Sequence, residues 1–518
     1  MPVGASHFQG LSAGLDPSSF IEKGLSMRFI TPLIATILLS LIPAGCTSAS
    51  REGLPPGSPF QAEVVIKPET LPQGIAVGDV TGHSAALWTR TDGPAMVHIE
   101  WAPASAWDAA EKMGTVVWPL LRTNRVTTTA ESDFTATIPL SGLVPRTHYR
   151  YHVLVGPVAV PHEHIDAVLA ARGEFMTLPD EGTSVPVTFA WSGDLGGQQR
   201  CRVGADGYPI FDVLRRQPLD FFLFLGDTIY SDDVCPAPPN EPGADFKATT
   251  LDQYRARHRY QRGSLPLRRF LASVPVYVTW DDHEVKNNFA GPYEAQMPAG
   301  RQALREYWPI ASPSDDPQRL YRTVRYGADM ELFILDDRQY RSRNSDPDGQ
   351  EKTMLGKEQL RWLLQGLRHS QATWKVIATS VPLSIPKGGG ATVPGNDGWA
   401  GGPDGTGFEY ERQLIVDTIL TQHLKNVVFL AGDVHYVQAS AYDPNGDGVP
   451  DFHEFVAGPL SAAPGRMSPP TLALNATNLI QEGGYYNFGL VRVSSSAFDV
   501  TVLDDKGAVR FSHHLSAK

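Results

Sequence analysis

Cysteine is scarce: three among 518 residues, so at most one pair can bridge and the fold must be held by packing. The apolar run from Phe29 to Pro43 is about 15 residues, short of the ~20 that a permanent membrane span needs. Basic residues are too few for a nonspecific nucleic-acid binder: 44 Lys and Arg stand against 56 Asp and Glu, a net charge of −12, whereas neutralising phosphates takes clustered cations. Wholesale disorder is excluded by 42% hydrophobic and 19% charged residues. A nucleotide P-loop is missing too, because the glycine-rich stretch Gly388 to Gly407 lacks the Gly-Lys-Ser/Thr ending and reads instead as a mobile loop bordering a site.

What is present begins with an export signal. Lys23 and Arg28 precede the apolar run and Ala44-Gly45-Cys46 follows it, the shape of a signal peptide over residues 1–46. Met27 beside Arg28 offers a second start. Ala-Gly-Cys resembles a bacterial lipobox, with Pro43 departing from the usual Leu or Val, so Cys46 is the expected lipid anchor of a periplasmic or cell-envelope lipoprotein, with plain cleavage nearby as the alternative. Cys201 and Cys235 then remain, and an oxidising compartment would permit them to pair.

Residues 47–67, rich in Ser, Gly and Pro, read as a linker. Over 68–180, short alternating segments such as Val97-His98-Ile99-Glu100-Trp101 and Tyr149-Arg150-Tyr151-His152-Val153 predict a small all-β immunoglobulin- or fibronectin-like domain, with Leu143 to Tyr149 as its tyrosine corner. Over 185–518 the pattern changes. Near-continuous apolar runs at Val187–Trp191, Phe221–Leu225, Val276–Trp280, Leu332–Leu335, Val376–Thr379 and Val427–Ala431 predict buried strands of an α/β fold covered by helices, one of them the amphipathic segment Leu355 to His369.

Several of these runs end in chemistry. Ser192-Gly193-Asp194 follows the first, Gly226-Asp227-Thr228-Ile229-Tyr230 the second, Asp281-Asp282-His283-Glu284 the third, and Gly432-Asp433-Val434-His435 the last. Carboxylates converging on one crevice beyond the strand ends repel each other strongly, and a bound cation resolves the repulsion.

The motifs Gly-Asp-x-x-Tyr at 226–230, Trp280 to Asn288, Leu335-Asp336-x-Arg338-Gln339-Tyr340-Arg341 and Gly432-Asp433-Val434-His435 resemble the alkaline phosphatase D family, relatives of the purple acid phosphatases among the calcineurin-like metallophosphoesterases. Gly78-Asp79 through Arg90 resembles that family's N-terminal domain. The resemblance implies a four-layer sandwich of two sheets flanked by helices. It further implies an enzyme hydrolysing phosphate esters by attack of a metal-bridging hydroxide on phosphorus, its substrates small phosphate esters or phospholipid headgroups. Asp194, Asp227, Tyr230 and His435 would hold ferric iron (Fe3+), Asp227 would bridge, and Asp282 and Asp433 would complete calcium (Ca2+) sites. His283 would protonate the leaving group, while Arg338 or Arg341 and Asn287 or Asn288 would bind phosphate oxygens. Asp281 and Glu284 would orient their neighbours. Family members often place a Cys ligand near the first strand; here Asp194 takes that position, with Cys201 as an alternative ligand.

Asp443, Asn445, Asp447, Asp451 and Glu454 also fit the spacing of an EF-hand loop, predicting a structural calcium, against an ordinary hairpin turn. The competing functions are a phosphodiesterase or phospholipase D-type activity on diesters and, in another class, an envelope adhesin with a degenerate catalytic domain.

Overall fold

A computed structural model describes residues 66–113, 121–158, 167–204, 207–387, 396–401, 406–468 and 473–518. The expected signal segment, Cys46 and Met27 lie outside them. Among the described residues no helix is long and apolar enough to cross a membrane.

The first part of the chain folds as strands β1 (Ile75–Gly78), β2 (Ser84–Arg90), β3 (Ala95–Pro103), β4 (Arg122–Thr128), β5 (Thr135–Ser141), β6 (His148–Gly156) and β7 (Val168–Met176). Alternation sorts their side chains: Val97, Ile99 and Trp101 of β3 and Tyr149, Tyr151 and Val153 of β6 are buried, while the residues between them are less so. The sheet β4-β3-β6-β7 packs on β1, β2 and β5 through this core, giving the expected sandwich. The tyrosine corner is there, with the Val144 amide donating to the Tyr149 hydroxyl at 3.0 Å.

The second part of the chain contributes β8 (Val187–Ser192), β9 (Phe221–Leu225), β10 (Val276–Thr279), β11 (Arg322–Tyr326), β12 (Met330–Ile334), β13 (Trp374–Ala378), β14 (Val427–Ala431), β15 (Val437–Tyr442), β16 (Phe452–Val456), β17 (Ala476–Glu482), β18 (Asn487–Val493), β19 (Ala497–Asp504) and β20 (Val509–Ser516). One sheet runs β20-β19-β18-β8-β9-β10-β1-β2-β5 and the second β11-β12-β13-β14-β16-β15-β17. The two parts therefore share a sheet: Gly78 of β1 pairs in parallel with Val276 of β10, and Asp79 beyond it forms an ion pair with Arg322 at 2.7 Å.

The apolar runs are continuous because both faces of each strand are covered. In β9, Phe221, Leu223 and Leu225 face Leu332, Val376 and Leu430 across the inter-sheet core, while Phe222 and Phe224 face the helices Leu265–Leu271 and Met297–Tyr307. The other outer layer is formed by Gly356–His369, within one residue of expectation, and Glu409–Thr421, whose Leu363, Leu367 and Ile415 pack on Phe333, Ile377 and Phe429.

The expected calcium loop is corrected at its closing residue. Glu454, which would close it, lies buried in β16 and accepts hydrogen bonds from the Leu383 amide at 2.7 Å and the Tyr442 hydroxyl at 2.6 Å. Asp443, Asn445 and Asp447 instead accept bonds from the amides of Gly446, Gly448, Asp447 and Val449, and Asn445 donates to Asp451. These side chains build a hairpin turn between β15 and β16, because short polar side chains cap their own backbone amides. The glycine-rich stretch is corrected in part: its described Asp397 and Trp399 are wholly buried.

Candidate metal centre

Strands β8, β9, β10 and β14 run parallel within their sheets and release their chains at the same end, where ligands bind in such folds. The backbone turns sharply there. Asp194, Asp227, Asp433 and His435 have φ of 62°, 51°, 71° and 60°, left-handed values that non-glycine residues seldom adopt and that cluster at functional sites. Gly226 is required for the close approach: a Cβ on it would lie 2.4 Å from the Cβ of Asp281.

These turns bring ligand types together. Oxygens and nitrogens of Asp194, Asp227 and His435 lie within 4.8 Å of one another, as do those of Asp227, Asp282 and His283, and those of Asp281, Asp282 and Asp433. Tyr230 joins the first group, its hydroxyl 2.8 Å from His435 Nε2. His435 Nδ1 donates to the Ala463 carbonyl at 2.6 Å, which fixes the ring with Nε2 turned toward Tyr230 and 3.3 Å from Asp194 Oδ1. Asp194, Asp227, Tyr230, Asp282, Asp433 and His435, the residues expected to hold iron and calcium at the strand ends, are thus in one buried cluster.

The electrostatics suit a cation. Burial, with Asp282, Asp281, Glu284 and Asp194 close by, holds the Asp227 carboxyl well above the usual carboxylate range. Burial and Asp227 push the Tyr230 phenol up in the same way. Buried oxygens Asp194 Oδ2, Asp281 Oδ2, Asp282 Oδ1 and Asp433 Oδ2 have no hydrogen-bond partner. Buried acceptors without partners are rare, and a hard or borderline cation satisfies such a donor set. The residues fit a metal centre.

His283 sits at its edge, stacked on Tyr230 with ring centroids 4.2 Å apart. Its Nδ1 lies 2.6 Å from Asp232 Oδ1 and its Nε2 3.8 Å from Asp282 Oδ1. Burial opposes a charge on the ring, but Asp282 and Asp232 outweigh it and raise the imidazole to about 9. The Asn288 amide donates to Asp282 at 2.7 Å and the Asn287 amide to Asp232 at 2.8 Å, so the backbone of both residues shapes the site.

Glu284 ties the loops together, accepting from the amides of Asp227, Thr228 and Asp281 at 3.1, 2.7 and 3.0 Å. Arg338 and Arg341 are buried beneath the centre rather than open to substrate. Arg338 donates to Asp281 at 2.6 Å and in bidentate fashion to Asp397 at 2.8 and 3.0 Å, and Arg341 donates to Asp397 at 2.9 Å. Despite burial, the two guanidinium groups hold the Asp397 carboxyl far below the usual range. Cys201 is disulfide-bonded to Cys235 and so is no metal ligand.

Sequence reasoning missed Asp232, Asp397 and Lys387. Lys387, half-buried, places its Nζ 2.7 Å from Asp433 Oδ1, and that ion pair outweighs the partial desolvation and raises the amine above its ordinary value. Asp232 had a legible signal, two residues after Tyr230 on a ligand-bearing loop. Asp397 and Lys387 had none beyond lying at the glycine-rich stretch.

The model for PhoD-like phosphatases matches residues 190–502, and that for the N-terminal domain of these phosphatases matches 59–179. Alkaline phosphatase D of Bacillus subtilis (strain 168) is 30% identical over 402 residues, 71% of this chain and 64% of that protein, so the chain spans less than two thirds of this relative's length. A solved structure of PhoD superposes with a TM-score of 0.66 at 24% identity, covering 87% of this chain and 93% of that one. A purple acid phosphatase isolated from yellow lupin (Lupinus luteus) seeds does so with 0.58 at 13% identity, covering 86% and 75%. With the small sandwich and the larger two-sheet domain each answering to the same family pattern, this chain belongs to the PhoD-like phosphatases.

Proposed function

We propose that the protein is a metal-dependent phosphoesterase of the alkaline phosphatase D type. The observation that carries this reading is the convergence of Asp194, Asp227, Tyr230, Asp282, Asp433 and His435 at the strand ends, with several of their buried oxygens unpartnered. Metal ions held there would neutralise the phosphoryl oxygens and make a nucleophile from water at neutral pH. The protein's own groups do the rest. Asp232 fixes His283 through Nδ1 and turns Nε2 toward Asp282, where the imidazolium can pass a proton to the departing alkoxide. Arg338 and Glu284 keep Asp281, Asp282 and Asp227 in register. Lys387, partly exposed beside Asp433, joins Asn287 and Asn288 as the groups offered to phosphate oxygens, the task first expected of the arginines.

For the metals we assign ferric iron to Asp194, Asp227, Tyr230 and His435, and calcium to the carboxylates of Asp282 and Asp433. Donor chemistry supports the division, since phenolate and imidazole suit a borderline or ferric ion and carboxylates alone suit calcium. Asp227 belongs to two of the close groups, as a bridging ligand should. We also read the protein as exported, anchored through Cys46; the Cys201–Cys235 disulfide supports an oxidising compartment.

Turnover of p-nitrophenyl phosphate and of bis(p-nitrophenyl) phosphate by protein purified without chelators tests the activity. Hydrolysis of neither overturns it, and hydrolysis of the diester alone replaces the monoester reading with a phosphodiesterase. Metal analysis of the same preparation that finds zinc alone overturns the iron and calcium assignment. Labelling with a fatty-acid analogue that fails to mark the chain overturns the anchor.

A further inference from the structure

The loop that leaves β8 and the loop that leaves β9 carry Asp194 and, on the other side, Asp227 and Tyr230. At their roots the backbones are joined directly: the Asp194 amide donates to the Gly226 carbonyl at 3.3 Å and the Leu195 amide to the Asp227 carbonyl at 2.7 Å. At their far ends they are joined by the disulfide between Cys201 and Cys235, both buried. Between root and tip, Gly197 lies against the aromatic ring of Tyr230 so closely that a Cβ on it would fall 2.0 Å from the ring. The backbone of the first loop is therefore the wall against which the Tyr230 ring rests.

That wall has an unfavourable local conformation. Gln198 and Gln199 have left-handed φ, of 53° and 64°, and non-glycine residues persist there only where the surroundings over-determine them. Tethers gather at the cysteines. The Cys201 amide donates to Asn240 Oδ1 at 3.1 Å, the Cys235 amide to the Ala244 carbonyl at 2.8 Å, and Arg257 reaches both the Ala244 carbonyl, at 2.7 Å, and the Tyr230 carbonyl. The disulfide is the covalent link between this anchored segment and the strained wall.

We propose that the Cys201–Cys235 disulfide is a positioning element of the metal centre: it holds the Gly196–Cys201 wall against Tyr230 and thereby sets the grip of Asp194, Asp227, Tyr230 and His435 on their ion. This rests on the metal-centre reading above. Opening the bridge with a phosphine consumes one water, yields two thiols and converts the phosphine to its oxide. The wall is then free to leave its left-handed conformation, and Tyr230 loses its backing.

The test uses the whole chain, purified oxidised, with one portion treated with a phosphine and both challenged with EDTA while bound metal is measured. The Cys201→Ser/Cys235→Ser double variant, without reductant, serves as the second arm. Groups that orient metal ligands typically govern affinity by about 10- to 100-fold, so metal should leave the reduced protein and the double variant faster by that order. The far-ultraviolet circular dichroism should be unchanged, and reoxidation should restore retention in the wild type. Equal retention in the oxidised and reduced protein overturns the proposal, as does metal loss that occurs only with collapse of the dichroism. Oxidised protein that holds no metal from the outset rejects the metal centre itself, and the clamp with it.

Discussion

Asp232 Oδ1 lies 2.6 Å from His283 Nδ1, and the second oxygen of the same carboxylate accepts the Asn287 amide at 2.8 Å. One side chain on the loop after β9 thus fixes both the ring orientation of His283 and the turn that follows it. Asp232→Asn should lower kcat by about 100-fold, at the low end of what a positioned general acid contributes, with KM and metal content nearly unchanged. Steady-state kinetics on p-nitrophenyl phosphate beside metal analysis would show it; an unchanged kcat removes His283 from the reaction.

Asp227 stands between two groups of ligands. Asp227→Asn keeps its shape but removes a charge shared by both, so activity and bound metal should fall together by more than about 100-fold, beyond the cost of losing an outer partner. Full turnover in this variant would revive the binding-protein reading.

Arg338 is wholly buried and shared by Asp281 and Asp397. Removing one partner of a buried ion pair costs about 3–5 kcal/mol because it strands the other charge. Arg338→Ala should therefore show its main effect in denaturant unfolding, and Arg338→Lys should recover only part of it, since lysine lacks the planar fork. A variant with native stability and a raised KM would return Arg338 to the substrate.

Glu454 is buried, and burial raises its carboxyl to about 7. Because the folded value lies above the unfolded one of 4.5, the native state binds more protons between them, and its stability falls as pH rises through that window. Glu454→Gln, which resembles the protonated acid, should flatten this slope and leave the protein more stable at pH 8 by about 1–3 kcal/mol. Urea unfolding at pH 5 and 8 reads the difference. Calcium that stabilises wild type but not Glu454→Gln would restore the EF-hand reading.

His258 has the opposite sign. It stacks on Tyr307 at 5.2 Å with its Nε2 unpartnered, and burial, aided by Arg262 and Arg257, lowers it to about 3. The unfolded chain therefore takes up a proton below about 6.5 that the native state refuses, and stability should drop as pH falls from there toward 3, by at most about 1.4 kcal/mol per unit. His258→Phe should remove that component of acid sensitivity in thermal melts at pH 4 and 7.

How much of this was legible can be judged residue by residue. Asp227, Tyr230, Asp282, Asp433 and His435 were readable because each follows an apolar run, and the run, the turn and the ligand type are all local. The two covered faces of β9 were readable for the same reason, since five consecutive apolar residues have no solvent-facing position. Glu454 misled because spacing along a chain does not say which way a side chain points, and one strand residue turned inward removes a ligand. Arg338 misled because a basic residue beside a motif looks alike whether it meets substrate or a carboxylate far away in sequence, here Asp397.

Hydrophobic period and local motif were enough to specify the kind of protein, a β-sandwich ahead of an α/β domain whose strand ends carry residues of metal-ligand type, because neither needs a distant partner. Long-range packing alone fixed that Asp232 serves His283, that Asp397 holds both arginines, that β1 extends the sheet of β8, β9 and β10, and that Cys201 bonds Cys235 rather than metal. Each of these joins positions tens or hundreds of residues apart. Their pairing depends on which loops the packed core brings within a few ångströms, and no local pattern encodes that distance.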